Sequence, residues 1–140
     1  MDKEILEKIL QLTIENKTEL VHKDHRGKIW RLEIDGKEYI IMETARGELR
    51  GGDYHQTAQH DLVLKGKILW IEKTCLSCEE GKGEDTRVVK EGEEITSKPN
   101  VPHMMVSFGG PSLVLEWLEG SFEKQYYKPF RDKIEAGVKA

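Results

Sequence analysis

The side chains best suited to chemistry are concentrated in residues 46–67. Asp53 and His55 stand two positions apart, and His60 follows at the start of an apolar run. Alternate residues of an extended strand share a face, so Asp53 and His55 are expected to point in the same direction. His103 comes much later in the chain, after a turn that contains two prolines. Histidines supplied by separate parts of a chain are typical of a metal site that the fold assembles.

Length and composition favour one domain with a substantial core. The chain has 140 residues, of which 37% are hydrophobic and 34% charged. Its net charge is −4, and basic residues are interleaved with acidic ones, so no nucleic-acid-binding patch is expected. The longest apolar runs are much shorter than a membrane span, and the acidic N-terminal residues do not resemble a signal peptide. We therefore expect a cytoplasmic protein without membrane or nucleic-acid partners.

The order of predicted elements indicates an antiparallel β-sandwich or barrel. Helical spacing of apolar residues predicts an amphipathic helix from Asp2 to about Asn16. Asp35-Gly36 predicts a tight hairpin between strands at Gly27–Ile34 and Tyr39–Met42. Seven further short strands are predicted at about 47–55, 60–65, 67–72, 87–90, 95–97, 103–108 and 112–118. A short closing helix is expected at Phe130 to about Ala136. The predicted parts are an N-terminal helix at 1–18 packed on the barrel or on a partner subunit, a β-domain at 19–130, and a C-terminal helix or tail at 131–140.

Two sequence patterns resemble those of small single-domain cupins. The first pattern has a glycine, two histidines one residue apart, a further ligand (usually Glu) and a closing glycine. Here it reads Gly52-Asp53-Tyr54-His55, then His60, then Gly66. The second pattern ends in a proline turn and a histidine, and here it ends at His103. The resemblance covers roughly residues 46–119. It implies an all-β cupin fold, a jelly-roll barrel also called a double-stranded β-helix, with the terminal helices added.

The resemblance also implies a metal site within the barrel. It assigns His55, His60 and His103 as ligands, with Asp53 as a possible fourth. Asp53 replaces the usual first histidine and His60 the usual glutamate, and Asp53 could instead orient His55 or cap a turn. Such a set suits a divalent transition metal such as Zn, Ni, Fe or Mn. If a small polar metabolite binds at this site, Asp53, Tyr54 or Glu116 could transfer a proton to or from it.

Two other functions compete with a metal-dependent enzyme. Residues 23–27 and 50–55 are similar to motifs of cupin-type sugar-nucleotide epimerases and ketoisomerases, which often work without metal. In that case His55 would be the general base and Arg50 would face the nucleotide phosphates. The other possibility is a non-catalytic module that binds or senses a small ligand in the barrel. The third histidine, His60, favours a metal site over the metal-free isomerase.

The two cysteines and the chain ends suggest less specific properties. Cys75 and Cys78 are too few for a disulfide framework, and their polar surroundings favour free thiols. A redox pair, or half of a zinc site completed by a dimer, are the alternatives. The amphipathic first helix and the aromatic residues at 122–130 offer apolar surface for a homodimer.

Overall fold

The computed structural model describes residues 1–139, so Ala140, the last residue of the predicted C-terminal tail, lies outside the described residues. The elements in chain order are α1 (Lys3–Ile14), β1 (Glu19–Asp24), β2 (Gly27–Ile34), β3 (Lys37–Thr44), β4 (Leu49–Tyr54), β5 (Gln59–Lys65), β6 (Lys67–Lys73), β7 (Glu84–Lys90), β8 (Glu94–Ser97), β9 (His103–Ser107), β10 (Ser112–Leu118), β11 (Gln125–Tyr126) and α2 (Lys128–Lys139).

Two antiparallel sheets form the body of the protein. One sheet has six strands in the order β1-β2-β3-β10-β5-β8, and the other has five in the order β11-β4-β9-β6-β7. The inner faces enclose an apolar core that includes Val63, Ile68, Trp70, Met105 and Val114. Strands that are neighbours in sequence often lie in different sheets, as expected for a jelly roll. The predicted all-β fold with a helix at each end is confirmed.

The β2–β3 hairpin shows how local sequence sets this architecture. Asp35 and Gly36 both adopt positive φ, at 51° and 80°, which is the geometry that a two-residue hairpin turn needs. The turn places Ile34 opposite Lys37. From that register, the apolar residues of β2 and β3 that face outward form a surface for α1 to cover.

Helix α1 covers the outer face of the six-stranded sheet. Asp2 caps the helix, since its side chain accepts a hydrogen bond from the Glu4 amide at 2.8 Å. Ile9 is fully buried against a cluster that contains Leu32 and Leu115. The amphipathic helix therefore packs on the outer face of this barrel.

Helix α2 covers the outer face of the five-stranded sheet. Phe130 and Ile134 are 2% and 1% exposed and pack on Met104 of β9. The helix runs from Lys128 to Lys139 and is longer than predicted at both ends. Its first turn includes Pro129. Proline is compatible with a first turn because the amide there needs no intrahelical acceptor. The two helices thus cover opposite outer faces, and no helix among residues 1–139 is long and apolar enough to cross a membrane.

Two further features differ from the predictions. Strand β1 was not predicted, and most of its residues are exposed, which is typical of a sheet edge. Cys75 and Cys78 are joined in a disulfide, so the prediction of free thiols is wrong. A turn closed by the Cys78 amide and the Cys75 carbonyl, 3.2 Å apart, brings the two sulfurs together. The buried Lys73 ammonium donates to the carbonyls of Glu79 and Lys82 and closes the same loop.

Candidate metal centre

A β-bulge in β4 positions the first candidate ligand. Arg50 and Gly51 pair with Met105 and Met104 of β9, but the next pair joins Asp53 to His103, so one residue is skipped. Gly51 and Gly52 adopt φ of 95° and 80°, which side-chain-bearing residues rarely do. The extra residue of the bulge turns Asp53 toward the barrel interior, beside His103.

Asp53, His55 and His103 converge inside the barrel. Their potential ligand atoms all lie within 4.8 Å of one another. Asp53 Oδ1 is 3.2 Å from His103 Nε2 and 3.8 Å from His55 Nε2. Both histidines are buried, at 6% and 3% exposure. Two imidazole nitrogens and a carboxylate oxygen at this spacing could hold one divalent cation.

Hydrogen bonds to the other ring nitrogens orient both imidazoles. His55 Nδ1 lies 2.9 Å from the carbonyl oxygen of Glu123, and His103 Nδ1 lies 3.2 Å from that of Val101. A carbonyl can only accept, so each Nδ1 carries the proton and donates it. In the neutral ring this leaves the lone pair on Nε2, the atom that faces Asp53. Such backbone contacts are the usual way in which proteins fix metal-binding histidines.

The charges of the cluster support each other. Burial opposes ionisation of Asp53, but the hydrogen bond from His103 and the nearby positive groups hold its pKa below the usual value. For His103, burial favours the neutral ring, yet the contact with Asp53 raises its pKa above the usual value. Trp70 stacks on His103 with ring centres 5.0 Å apart and shields it from water on one side. The contact between Asp53 and His103 therefore favours the charged form of each group.

The structure does not bring His60 to this group. Its ring stacks on Trp117 and lies 3.0 Å from Thr96 Oγ1 and 2.9 Å from Glu119 Oε1. Trp117 belongs to the outward-facing cluster beneath α1, whereas Gln59 lines the central cavity. The prediction that His60 belongs to the ligand set is therefore wrong. The physical reason is the strand pleat, because neighbouring residues of β5 point to opposite faces.

Gln59 occupies the inward position that the sequence analysis assigned to His60. Its side chain is 2% exposed, and its Nε2 donates to Asp61 Oδ1 and Glu116 Oε1, each at 2.8 Å. Its Oε1 is buried and has no hydrogen-bond partner among residues 1–139. A buried amide oxygen without a hydrogen-bond partner is chemically suited to bind a metal. The alternation of side chains in β5 is the sequence signal that identifies Gln59 as inward-facing.

The other predicted catalytic residues lie in different places. Glu116 lines the cavity, and burial together with the neighbouring Asp61 raises its pKa well above the usual value. Burial also raises the pKa of Asp61, which is directly opposite Glu116 across β5 and β10. Tyr54 points elsewhere, since its hydroxyl donates to Gln125 Oε1 at an exposed position.

The cavity around these residues has a volume of about 460 Å³. Its polar lining includes Asp53, His55, Gln59, His103 and Glu116, together with further charged residues such as Arg50. Apolar side chains form much of the remaining wall, namely Ile29, Ile40, Met42, Trp70, Met105 and Phe122. This volume and mixture of surfaces fit a small ligand with both polar and apolar parts.

Comparison with known proteins gives structural neighbours only. No protein-family model matches the chain, and no curated protein matches it in sequence. The capsular polysaccharide assembling protein CapF from Staphylococcus aureus superposes with a TM-score of 0.64 and 16% identity, over 76% of this chain and 34% of CapF. Vicilin from hazelnut, Corylus avellana, superposes with a TM-score of 0.63 and 16% identity, over 90% of this chain and 42% of vicilin.

A third neighbour is the Bacillus subtilis oxalate decarboxylase whose Mn(II) centres have been characterised by EPR. It gives a TM-score of 0.60 at 16% identity, over 77% of this chain and 29% of that enzyme. The present chain thus spans about a third of the length of CapF and of the decarboxylase. These neighbours are cupin-fold proteins. The two antiparallel sheets, the cavity between them and these superpositions together establish that the chain has the cupin fold.

Proposed function

We propose that this protein binds a divalent transition metal and a small polar metabolite inside its barrel. Asp53, His55 and His103 would hold the metal, with the Gln59 amide oxygen as the fourth ligand. The observation that carries the proposal is the arrangement of the two imidazoles. Each has its Nδ1 held by a backbone carbonyl and its Nε2 directed at the Asp53 carboxylate.

The donor chemistry limits the choice of metal. Two imidazoles with two oxygen donors suit Fe, Mn, Ni or Zn better than Mg or Ca, which prefer oxygen alone. The Mn(II) centres of the structurally similar oxalate decarboxylase are a precedent within this fold. A bound divalent metal would supply Lewis acidity toward a substrate oxygen.

Glu116 is the residue of this chain best placed to move a proton in the cavity. Burial beside Asp61 keeps the Glu116 carboxyl protonated well above the usual pH range for a glutamate. The Gln59 amide fixes its position through a hydrogen bond at 2.8 Å. A buried acid of this kind could donate a proton to a ligand oxygen or nitrogen. Tyr54 is not included in this proposal because its hydroxyl is bonded to Gln125 at the surface.

Elemental analysis of untagged protein, purified without added metal, tests the proposal. We expect near-stoichiometric Fe, Mn, Ni or Zn in the wild type and in His60→Ala, the matched control, because His60 lies on the outer face. His55→Ala and His103→Ala should lose the metal while circular dichroism shows an unchanged fold. Gln59→Ala should weaken binding by at least about tenfold.

Two outcomes would contradict the proposed site. Unchanged metal content in both His55→Ala and His103→Ala would exclude it, and loss of metal in His60→Ala would favour the ligand set predicted from sequence. If the wild type neither contains nor takes up a divalent metal, sugar-nucleotide binding that depends on His55 becomes the function to test.

A further inference from the structure

Arg50 is a buried charge without a matching partner. Its side chain is 2% exposed and lines the same cavity as the metal centre. Its Nε donates to Thr44 Oγ1 at 3.2 Å, and its Nη2 donates to the Glu43 carbonyl oxygen at 2.8 Å. Both acceptors are neutral. Its Nη1 is buried and has no acceptor within the described part of the chain.

The neighbouring Arg26, which lines the same cavity, has its charge paired with a carboxylate. The Arg26 guanidinium makes three contacts of 2.7–3.2 Å to the Asp24 carboxylate, and its Nη1 donates to the Leu49 carbonyl. Arg50 lacks an equivalent bidentate carboxylate. Burial, followed by the like charge of Arg26, lowers the pKa of Arg50 to about 10. A guanidinium with that pKa still carries its charge at neutral pH.

A buried charge without a counter-ion is costly, and proteins normally pair such groups or use them to bind an ion. We propose that Arg50 Nη1 binds the carboxylate of a small organic acid that enters the cavity. This subsite rests on the proposed function, because the ligand would occupy the same cavity as the metal. It specifies the substrate class as a carboxylic acid.

The neighbouring residues favour a carboxylate over a phosphate. The single positive charge of the Arg50 guanidinium matches the single negative charge of a carboxylate, and Nη1 can donate a hydrogen bond to one carboxylate oxygen. A phosphate carries more charge and requires more donors than Nη1 alone provides.

The strand register places the backbone of Arg50 close to that of Asp53, and both side chains line the cavity. Arg50 pairs with Met105, and Asp53 pairs with His103 two residues earlier on β9, which corresponds to roughly 7 Å along the strand. Met42 and Met105 line the same cavity and belong to the apolar core. The ligand is therefore an acid with a short apolar segment between its carboxylate and the group nearest the metal.

Thermal unfolding of the full chain with butyrate, with its neutral analogue butyramide and with inorganic phosphate tests the subsite. Butyrate should raise the Tm in a saturable way, because a ligand that binds only the folded state stabilises it. Butyramide and phosphate should not. In Arg50→Met the affinity for butyrate should fall by about ten- to a hundredfold. Arg87→Met, which removes the same charge from an exposed position on β7, should bind butyrate like the wild type.

Arg50→Met should fold, because an apolar residue in place of a buried charge is often neutral or stabilising. If Arg50→Met does not fold, the relative binding of butyrate, butyramide and phosphate to the wild type still tests the proposed subsite. A protein that binds none of them, that binds butyramide as well as butyrate, or that prefers phosphate overturns the proposal. So does an unchanged butyrate affinity in folded Arg50→Met.

Repeating the titration before and after removal of metal with a chelator separates the two proposals. Arg50-dependent butyrate binding in a protein that takes up no metal would support the subsite and refute the metal centre. Stoichiometric metal without Arg50-dependent binding of butyrate would refute the subsite alone.

Discussion

Replacing Gly52 by alanine should destabilise the protein and disturb the metal centre together. Gly52 lies in the β4 bulge at φ 80°, next to Asp53. An added Cβ would lie 2.8 Å from Arg131 Cδ, 2.9 Å from Ile134 Cδ1 and 3.2 Å from the Arg131 amide nitrogen. The Gly52 carbonyl also accepts a hydrogen bond at 2.9 Å from the amide of Tyr127, the residue just before α2. The new methyl group would therefore push α2 away from the bulge.

Gly47 provides a matched control, since its φ is also 80° and an added Cβ would meet no atom within 4 Å. Gly47→Ala should cost only the backbone strain, about 1–2 kcal/mol. Gly52→Ala adds overpacking, typically about 1–3 kcal/mol, for a total of about 2–5 kcal/mol. With an unfolding entropy near 2.1 cal/mol/K per residue over 140 residues, each kcal/mol corresponds to roughly 3 °C in Tm.

Denaturant titration and a metal-binding isotherm for both variants measure these effects. We expect Gly52→Ala to lose more stability than Gly47→Ala and also to bind metal more weakly, because Asp53 moves with the bulge. Equal losses of stability in the two variants would refute the packing argument. A destabilised Gly52→Ala with unchanged metal affinity would refute the link between the bulge and Asp53.

Three further predictions concern stability. The Arg26 guanidinium holds the pKa of Asp24 well below its usual value. Ionised Asp24 therefore stabilises the fold above its unfolded pKa of about 4, and this stabilisation is lost as the pH falls below that value. The free energy of unfolding of Asp24→Asn should consequently depend less on pH between about pH 2 and 5. Replacing Cys75 and Cys78 by serine should cost at most about 2 kcal/mol, since the closed loop is short, and a larger loss in denaturant titration would contradict this. Ile134→Ala should cost about 2–5 kcal/mol in the same assay, because this side chain is 1% exposed on the face of α2 that packs on the sheet, and a loss below about 1 kcal/mol would contradict tight packing of the helix.

Periodicity and turn chemistry were sufficient to predict an antiparallel sandwich or barrel, and the resemblance to cupins implied the jelly roll. The Asp35-Gly36 turn and the alternation on either side of it define the β2–β3 hairpin, and both signals are local in the sequence. The shared face of Asp53 and His55 likewise follows from their spacing, although the bulge at Gly51 and Gly52 that turns Asp53 inward depends on pairing with β9.

The remaining features depend on contacts between distant residues. Strand β1 has weak alternation and is defined by its pairing with β2. Its existence could not be inferred from its own residues. The prediction of His60 as a ligand was wrong because residue type does not show which face of β5 a side chain occupies. The pleat of β5 instead directs Gln59 inward, and a shift of one residue exchanges the faces of the whole strand.

The inward position of Gln59 also explains why an amide replaces the glutamate usual in the cupin pattern. Its Nε2 donates to the buried Asp61 and Glu116, and an ionised glutamate could donate to neither and would add a third carboxylate. The opposite exchange occurs at Asp53, where a carboxylate replaces the usual histidine. Three histidines with one glutamate carry a net charge of −1, as do two histidines, one aspartate and one glutamine. In the proposed metal centre the two departures therefore compensate each other, because the ligand set keeps the same net charge while its negative group moves from β5 to β4.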